Sequence, residues 1–265
     1  MSRRVFSPSA RAFVEDALEP LDPVLKVLVR SALFRLGADV TDVAARRRCL
    51  VLAPHPDDET LGAGATIMRK VAAGTPVHLV VVTDGSKSPI GDPAEVTALR
   101  SAELRAACGV LGLSDDDVTR LPFVDAELAG NEDVLAAAVA EVVGAWGPEE
   151  VLVTGEDDPH EDHAVLGRAT RRALRGSGVR CLSYPIWQFD RPGLLARHLR
   201  WGRRPELVRT DGYRARKREA VAAYPSQMAA RDDDLEGLKP SFLPNFDGPY
   251  EMFFPVDLAA RAGST

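Results

Sequence analysis

Cys49-Leu50-Val51-Leu52-Ala53-Pro54-His55-Pro56-Asp57-Asp58-Glu59 is the stretch on which the fold reading turns. Five apolar residues run without a break and stop at a proline. A continuous apolar run this short reads as a strand buried on both faces, since a half-buried strand would alternate. The segment from Pro54 to Glu59 is acidic and carries a histidine, so chemistry-bearing side chains sit where a strand hands over to a helix.

Outward from this point the pattern repeats. Val77–Thr83 and Val151–Thr154 are further apolar runs, and Val118–Phe123 and Arg180–Tyr184 complete five expected strands. Between them, 59–73, 94–111, 132–146 and 164–174 read as helices, two of them closed by Gly74 and Gly112. Strands alternating with helices imply an α/β fold: a Rossmann-like, open, mostly parallel sheet with helices on both faces. In the common order 3-2-1-4-5, the strand ending at Ala53 lies beside the one ending at Thr154. Ligands of such sheets bind beyond the carboxyl ends of the strands at this switch point.

Ahead of this unit, residues 9–43 read as helical, with Leu21, Leu25, Leu28, Ala32 and Leu36 at helical spacing. Lys26 and Arg30 lie on another face, and Arg35 falls nearly opposite Lys26. A membrane-surface helix is therefore less favoured than one packed on the main unit or on a second subunit. Residues 1–46 are expected to form an N-terminal helical extension and 47–265 the main domain.

Composition narrows the function. The 265 residues hold 33 Lys and Arg against 39 Asp and Glu, a net charge of -6, with 45% apolar residues. That is a globular balance without the basic excess of a general nucleic-acid binder. Apolar runs of membrane-spanning length and a leader-type apolar segment are both missing from the sequence, so a cytoplasmic protein with no integral membrane segment is expected. Three scattered cysteines argue against a disulfide framework and a cysteine metal site.

The loop after Thr154 reads Glu156-Asp157-Asp158-Pro159-His160-Glu161-Asp162-His163. Together with the first loop it supplies a metal set. His55 and Asp58 from the first corner and His163 from the second give three ligands and leave a position open, the catalytic arrangement for zinc. Asp57, beside the ligands but outside the set, is free to act as general base. His160 can face the same pocket and, protonated, hold an oxyanion or protonate a leaving amine. Metal-assisted amide hydrolysis is the expected reaction. A structural alternative is that Asp57, Asp58 and Glu59 are first-turn acids favoured by the helix dipole. Two such loops at neighbouring strand ends favour the site. A two-His, one-Asp set also accepts Fe2+ or another divalent ion.

These motifs resemble the LmbE-like, or PIG-L, de-N-acetylase family. The resemblance lies in Ala53-Pro54-His55-Pro56-Asp57-Asp58-Glu59, with Pro54 a small departure, and in His160-Glu161-Asp162-His163. It implies a Rossmann-like zinc enzyme that removes an acetyl group from an N-acetylglucosamine-type conjugate. It assigns the same roles to His55, Asp58, His163, Asp57 and His160. Arg100-Ser101-Ala102-Glu103 is similar to a family helix whose arginine can face substrate. Phe123-Val124-Asp125-Ala126 resembles a family segment that ends in glycine, and Ala126 departs from it. Lys217 to Ala220 with Tyr224, Ser226 and Gln227 is similar to a third block. The likeness runs from about Cys49 to Gln227. It makes Arg100, Asp125 and Gln227 candidate substrate contacts; Trp187 is a fourth, as an aromatic that can stack on a sugar, with core packing as its alternative.

Other features carry plainer readings. Gly62-Ala63-Gly64 lacks the third glycine of a dinucleotide loop and is expected to serve close helix–sheet packing. Asp84 to Ser88 is either a pocket wall or a turn. Asp115 to Asp117 and Asp232 to Asp234 are expected as turns or caps, His78 as a core histidine and His198 as a surface one. A small-molecule conjugate is the expected partner, with homo-oligomers open. Cleavage of another amide, such as a thiol conjugate or an antibiotic side chain, and a non-catalytic sugar-binding role are the competing functions.

Overall fold

The computed structural model describes residues 22–87, 91–228, 238 and 241–259. The eight strands are β1 (Ala38–Asp39), β2 (Cys49–Ala53), β3 (Val77–Thr83), β4 (Val118–Phe123), β5 (Glu150–Thr154), β6 (Arg180–Tyr184), β7 (Glu206–Arg209) and β8 (Tyr250–Pro255). They form a single sheet in the order β1-β7-β8-β6-β5-β2-β3-β4. The main helices are α1 (Asp22–Leu36), α2 (Thr41–Ala44), α3 (Asp58–Ala72), α4 (Pro93–Leu111), α5 (Glu132–Trp146), α6 (Glu161–Ala173), α7 (Pro192–Arg200), α8 (Arg214–Ala222) and α9 (Pro225–Met228).

The five strands expected from sequence occupy the expected order, and β2 lies parallel between β3 and β5. Strand alternation explains why β2 is apolar throughout. Cys49, Val51 and Ala53 face one core layer with α3 and α4, while Leu50 and Leu52 face the other with α5 and α6. All five residues are buried. Full burial of each leucine contributes about 1.5–3 kcal/mol. Beyond β6 the sheet continues through three strands not read from sequence. Of these, β8 runs antiparallel to both its neighbours.

The N-terminal stretch departs from its sequence reading. The helix stops at Leu36, and β1 then pairs with β7. Gly37 makes the turn possible: a Cβ there would stand 2.7 Å from the Leu207 side chain. Just ahead of α2, Asp39 makes a side-chain turn, accepting from the Thr41 N–H and hydroxyl. The buried face is also not the expected one. Val29 and Leu33 pack inward, whereas Leu25, Leu28 and Leu36 are exposed. Val24 to Val29 is apolar at all but one position, so spacing alone does not select a face. Residues 9–21 of the expected helix lie outside the described residues, as do Asp232 to Asp234.

Helix α3 is tied into the sheet through its own middle. The Ala65 and Thr66 N–H groups donate to the Glu251 carboxylate on β8, and Lys217 Nζ donates to Leu61 O and to Glu251. Glu251 and Lys217 are both buried. At the same level Gly62 packs on Tyr184, where any Cβ would collide with the ring. This is the close helix–sheet packing expected, but of Gly62 alone: a Cβ on Gly64 would make only ordinary contacts with Leu111 and Lys217.

His198 corrects another expectation. It is 1% exposed and stacks on Phe254 with ring centroids 3.7 Å apart. It shares the inward face of α7 with Leu195, so its flanking arginines misled the surface reading. His78 Nε2 pairs with the Thr119 hydroxyl at 2.9 Å. Asp115 to Asp117 form a single 3-10 turn fastened by Ser114 to Asp117.

Candidate active site

The loops after β2 and β5 meet at the carboxyl edge of the sheet because the two strands are neighbours. The His55 N–H donates to Asp58 Oδ2 at 3.0 Å, a turn that starts α3 and folds the first loop onto itself. His163 lies in the first turn of α6. His55 Nδ1 is 3.2 Å from Asp58 Oδ2, His163 Nε2 is 3.3 Å from the same oxygen, and the two nitrogens are 3.3 Å apart. Ligands about 2.0–2.1 Å from a tetrahedral zinc stand about 3.3 Å from one another. The triangle has that edge, and its three residues are buried. The donors therefore fit a divalent ion with a fourth corner left for water or substrate. Among the described residues, His55 with His160 and His163, and His55 with Asp125 and Asp162, also bring donor atoms within 4.8 Å of one another.

Carboxylates stand behind both histidines. His55 Nε2 lies 3.0 Å from Asp125 Oδ1 and 3.3 Å from Asp162 Oδ2, and His163 Nδ1 lies 3.4 Å from Asp158 Oδ1. Such partners fix the tautomer and the angle of a metal-ligating imidazole. Asp162 is itself held by the N–H groups of Ala126 and Leu128. Asp158 accepts from the N–H groups of His160, Ile186 and Trp187. Sequence reasoning gave neither Asp158 nor Asp162 a role. The available signal was the rule that a ligating histidine needs an acceptor on its other nitrogen.

Electrostatics in the cluster are set by burial and by these neighbours. Burial works against a charged His163, but Asp58 and Asp158 outweigh it and raise the pKa to about 9. Burial pushes Asp57 up to about 7, helped by Asp58 and Glu59 and opposed by Arg100. His160 is pushed down to about 4, first by burial and then by His163 and His55. Its buried Nδ1 has no partner among the described residues. Its ring stands 4.7 Å from those of both His55 and His163.

Asp57 has φ 131° and ψ -28°, a conformation sparsely populated for a residue with a Cβ. Arg100, from α4, donates Nη2 to Pro56 O at 2.6 Å and lies 3.4 Å from Asp57 Oδ2. The α-carbon of Gly85 packs beneath it, since an added Cβ would meet the guanidinium at 2.8 Å. The turn after β3 therefore forms part of the site wall, and Asp84 holds the Asp125 N–H.

The side chains of the remaining candidates have other partners. Trp187 is half-buried and stacks on Phe242 at 4.7 Å. Gln227 is buried and donates to the Ser226 hydroxyl, which donates in turn to Glu103.

An open α/β sheet with a His–Asp cluster able to hold a metal ion at its switch point defines the class. Residues 50–174 match the model of the family described as PIG-L, GlcNAc-PI de-N-acetylase. The chain is 31% identical over 222 residues to the 1D-myo-inositol 2-acetamido-2-deoxy-alpha-D-glucopyranoside deacetylase of Streptomyces griseus, covering 74% of this chain and 67% of that one. It is also 31% identical over 136 residues to a probable N-acetyl-alpha-D-glucosaminyl L-malate deacetylase 2 of Bacillus cereus, covering 48% of this chain and 61% of that one. The fold is shared with the N,N'-diacetylchitobiose deacetylase of Pyrococcus horikoshii, at TM-score 0.58 and 18% identity over 86% of this chain and 82% of that one. The chain belongs to the PIG-L, LmbE-like, deacetylase family.

Proposed function

We propose that this protein is a zinc-dependent hydrolase that removes the acetyl group from the nitrogen of an N-acetyl amino sugar conjugate. The observation that carries the reading is the 3.2–3.3 Å triangle of His55 Nδ1, Asp58 Oδ2 and His163 Nε2, with the Asp57 carboxyl beside it. These three residues would hold the ion, which supplies Lewis acidity and lowers the pKa of water at neutral pH.

The chain's own groups do the rest. Asp57 takes the proton from the attacking water and returns it to the departing nitrogen. Its strained backbone and Arg100 keep its carboxyl in place. His160, whose buried Nδ1 has no partner among the described residues, is placed to donate to the oxygen on which charge develops or to the departing nitrogen. Asp125, Asp162 and Asp158 hold the ligand histidines at fixed angles. Family membership and two relatives whose names state deacetylation of glucosaminyl conjugates support the substrate class.

The test is an acetate-release assay on N-acetylglucosamine conjugates with zinc-loaded and chelator-treated protein. Release that follows zinc content supports the proposal. Release from protein loaded only with Fe2+ reassigns the ion. Cleavage of a different amide without acetate reassigns the substrate. Sugar binding without any release leaves a binding protein.

A further inference from the structure

Asp57 is held in an unfavourable conformation, and such strain persists only where surrounding contacts over-determine it. Two of those contacts are ordinary for a helix start, and a third comes from α4. The Asp57 carbonyl accepts from the N–H groups of Thr60 and Leu61, and the carbonyl of Pro56 accepts from Arg100. The fourth reaches back from the helix's own first turn, as the acid of a capping box does. The Asp57 N–H donates to Glu59 Oε2 at 3.1 Å, a side chain only two residues further along.

Glu59 is fully buried. Its other oxygen accepts from the Tyr224 hydroxyl at 2.6 Å and from the Thr60 hydroxyl. Tyr224 is 1% exposed and lies 165 residues away, at the end of α8. An acid recruited only for the helix dipole would stand in water. Here a carboxyl has been taken out of water, and both its oxygens are engaged, one on the backbone of Asp57 and one on a tyrosine anchored in the core.

We propose that Glu59, fixed by Tyr224, is a positioning residue: it clamps the strained backbone of Asp57 and so aims the Asp57 carboxyl at the reacting atoms. The inference rests on the deacetylase reading of the site. It joins the first loop to the C-terminal part of the chain, where the block containing Lys217, Tyr224 and Ser226 lies far from the metal cluster in sequence but supports it in space.

The test compares Glu59→Ala, Glu59→Gln and Tyr224→Phe, and repeats Glu59→Ala in an Asp57→Asn background. Glu59→Ala should lower kcat on the order of 10²-fold while KM and zinc content stay near the parent values, as expected of a misplaced catalytic group. Tyr224→Phe, a smaller change that preserves packing, should lower kcat less, again without a change in KM. Glu59→Gln should recover most of the loss, because its carbonyl still accepts the Asp57 N–H and the two hydroxyls can turn to accept from its amide. In the Asp57→Asn background, Glu59→Ala should have almost no further effect, since residues acting through one another are not additive. An equal loss in both backgrounds, or a loss of zinc and thermal stability that accounts for the fall in kcat, overturns the proposal. Hydrogen exchange separates the two readings. The Asp57 amide should be protected in the parent and open in Glu59→Ala; an unprotected amide in the parent overturns the clamp. A protected amide in a parent that releases no acetate overturns the functional reading alone.

Discussion

Asp125 Oδ1 lies 3.0 Å from His55 Nε2, on the side of the imidazole opposite Asp58. One ring thus joins the carboxylate of the candidate metal set to a second carboxylate behind it. The sequence resemblance made Asp125 a candidate for substrate, yet its buried carboxyl is directed at His55, where it governs which nitrogen carries the proton. Asp125→Ala should weaken zinc binding by about 10–100-fold, as loss of such a partner does at other metal sites. Competition against a chelator of known affinity measures this. Unchanged affinity would return Asp125 to the substrate side.

Ala126, next to it, has φ 60°, the left-handed region that favours glycine. Its N–H donates to Asp162 at 2.8 Å, so the conformation serves the brace on His55. Alanine thus stands, where the resembling family segment has glycine, in a conformation that glycine favours. Ala126→Gly relieves about 1–2 kcal/mol of steric cost and returns part of it as unfolded-state entropy. The net expectation is about 1 kcal/mol of added stability, or about 2–4 °C in Tm. A lower Tm would show that the strain lies elsewhere.

The parallel core was readable because burial on both faces leaves an unbroken apolar run, as in Cys49–Ala53. The candidate metal set was within reach of the sequence because its donors come from two strand ends whose adjacency follows from strand order. What escaped depends on distant partners. Asp158 and Asp162 look like loop acids until His163 and His55 stand in front of them. Glu59 looks like a first-turn acid until Tyr224 closes over it. The apolar positions of Val24 to Val29 surround α1, so its inward face is chosen by what packs against it. Strands β1 and β7 have only two and four residues, too few for a period to declare itself.

His198 provides a pH-dependent test of the fold outside the candidate metal set. Burial holds its pKa down to about 4, although Asp157 pulls it upward. The native state then binds fewer protons than the unfolded state between about pH 6.5 and 4. Its contribution is complete above the unfolded value and is lost as pH falls toward 4, amounting to at most about 3 kcal/mol. Urea titrations from pH 7 to 4.5 should show stability falling with pH, with a shallower fall in His198→Leu. Identical slopes in the two proteins would contradict the buried neutral state.

Glu251 joins β8 to the middle of α3 and neutralises Lys217 in the core. Removing one member of a buried pair strands the other charge and typically costs about 3–5 kcal/mol. Glu251→Ala should therefore lower stability by that order in chemical denaturation. Glu251→Leu combined with Lys217→Met should be less harmful than Glu251→Ala. Independent, additive losses would show that the pair is not a unit.

If the His55, Asp58 and His163 triangle holds the ion that makes this chain a deacetylase, activity must follow occupancy of that triangle. The decisive measurement titrates metal-free protein with zinc while following acetate release from an N-acetylglucosamine conjugate. Release should rise to a plateau at one zinc per chain, and His163→Ala should neither retain zinc nor release acetate under the same conditions. Undiminished zinc content and release in His163→Ala, or full release from metal-free protein, would refute that role for the triangle.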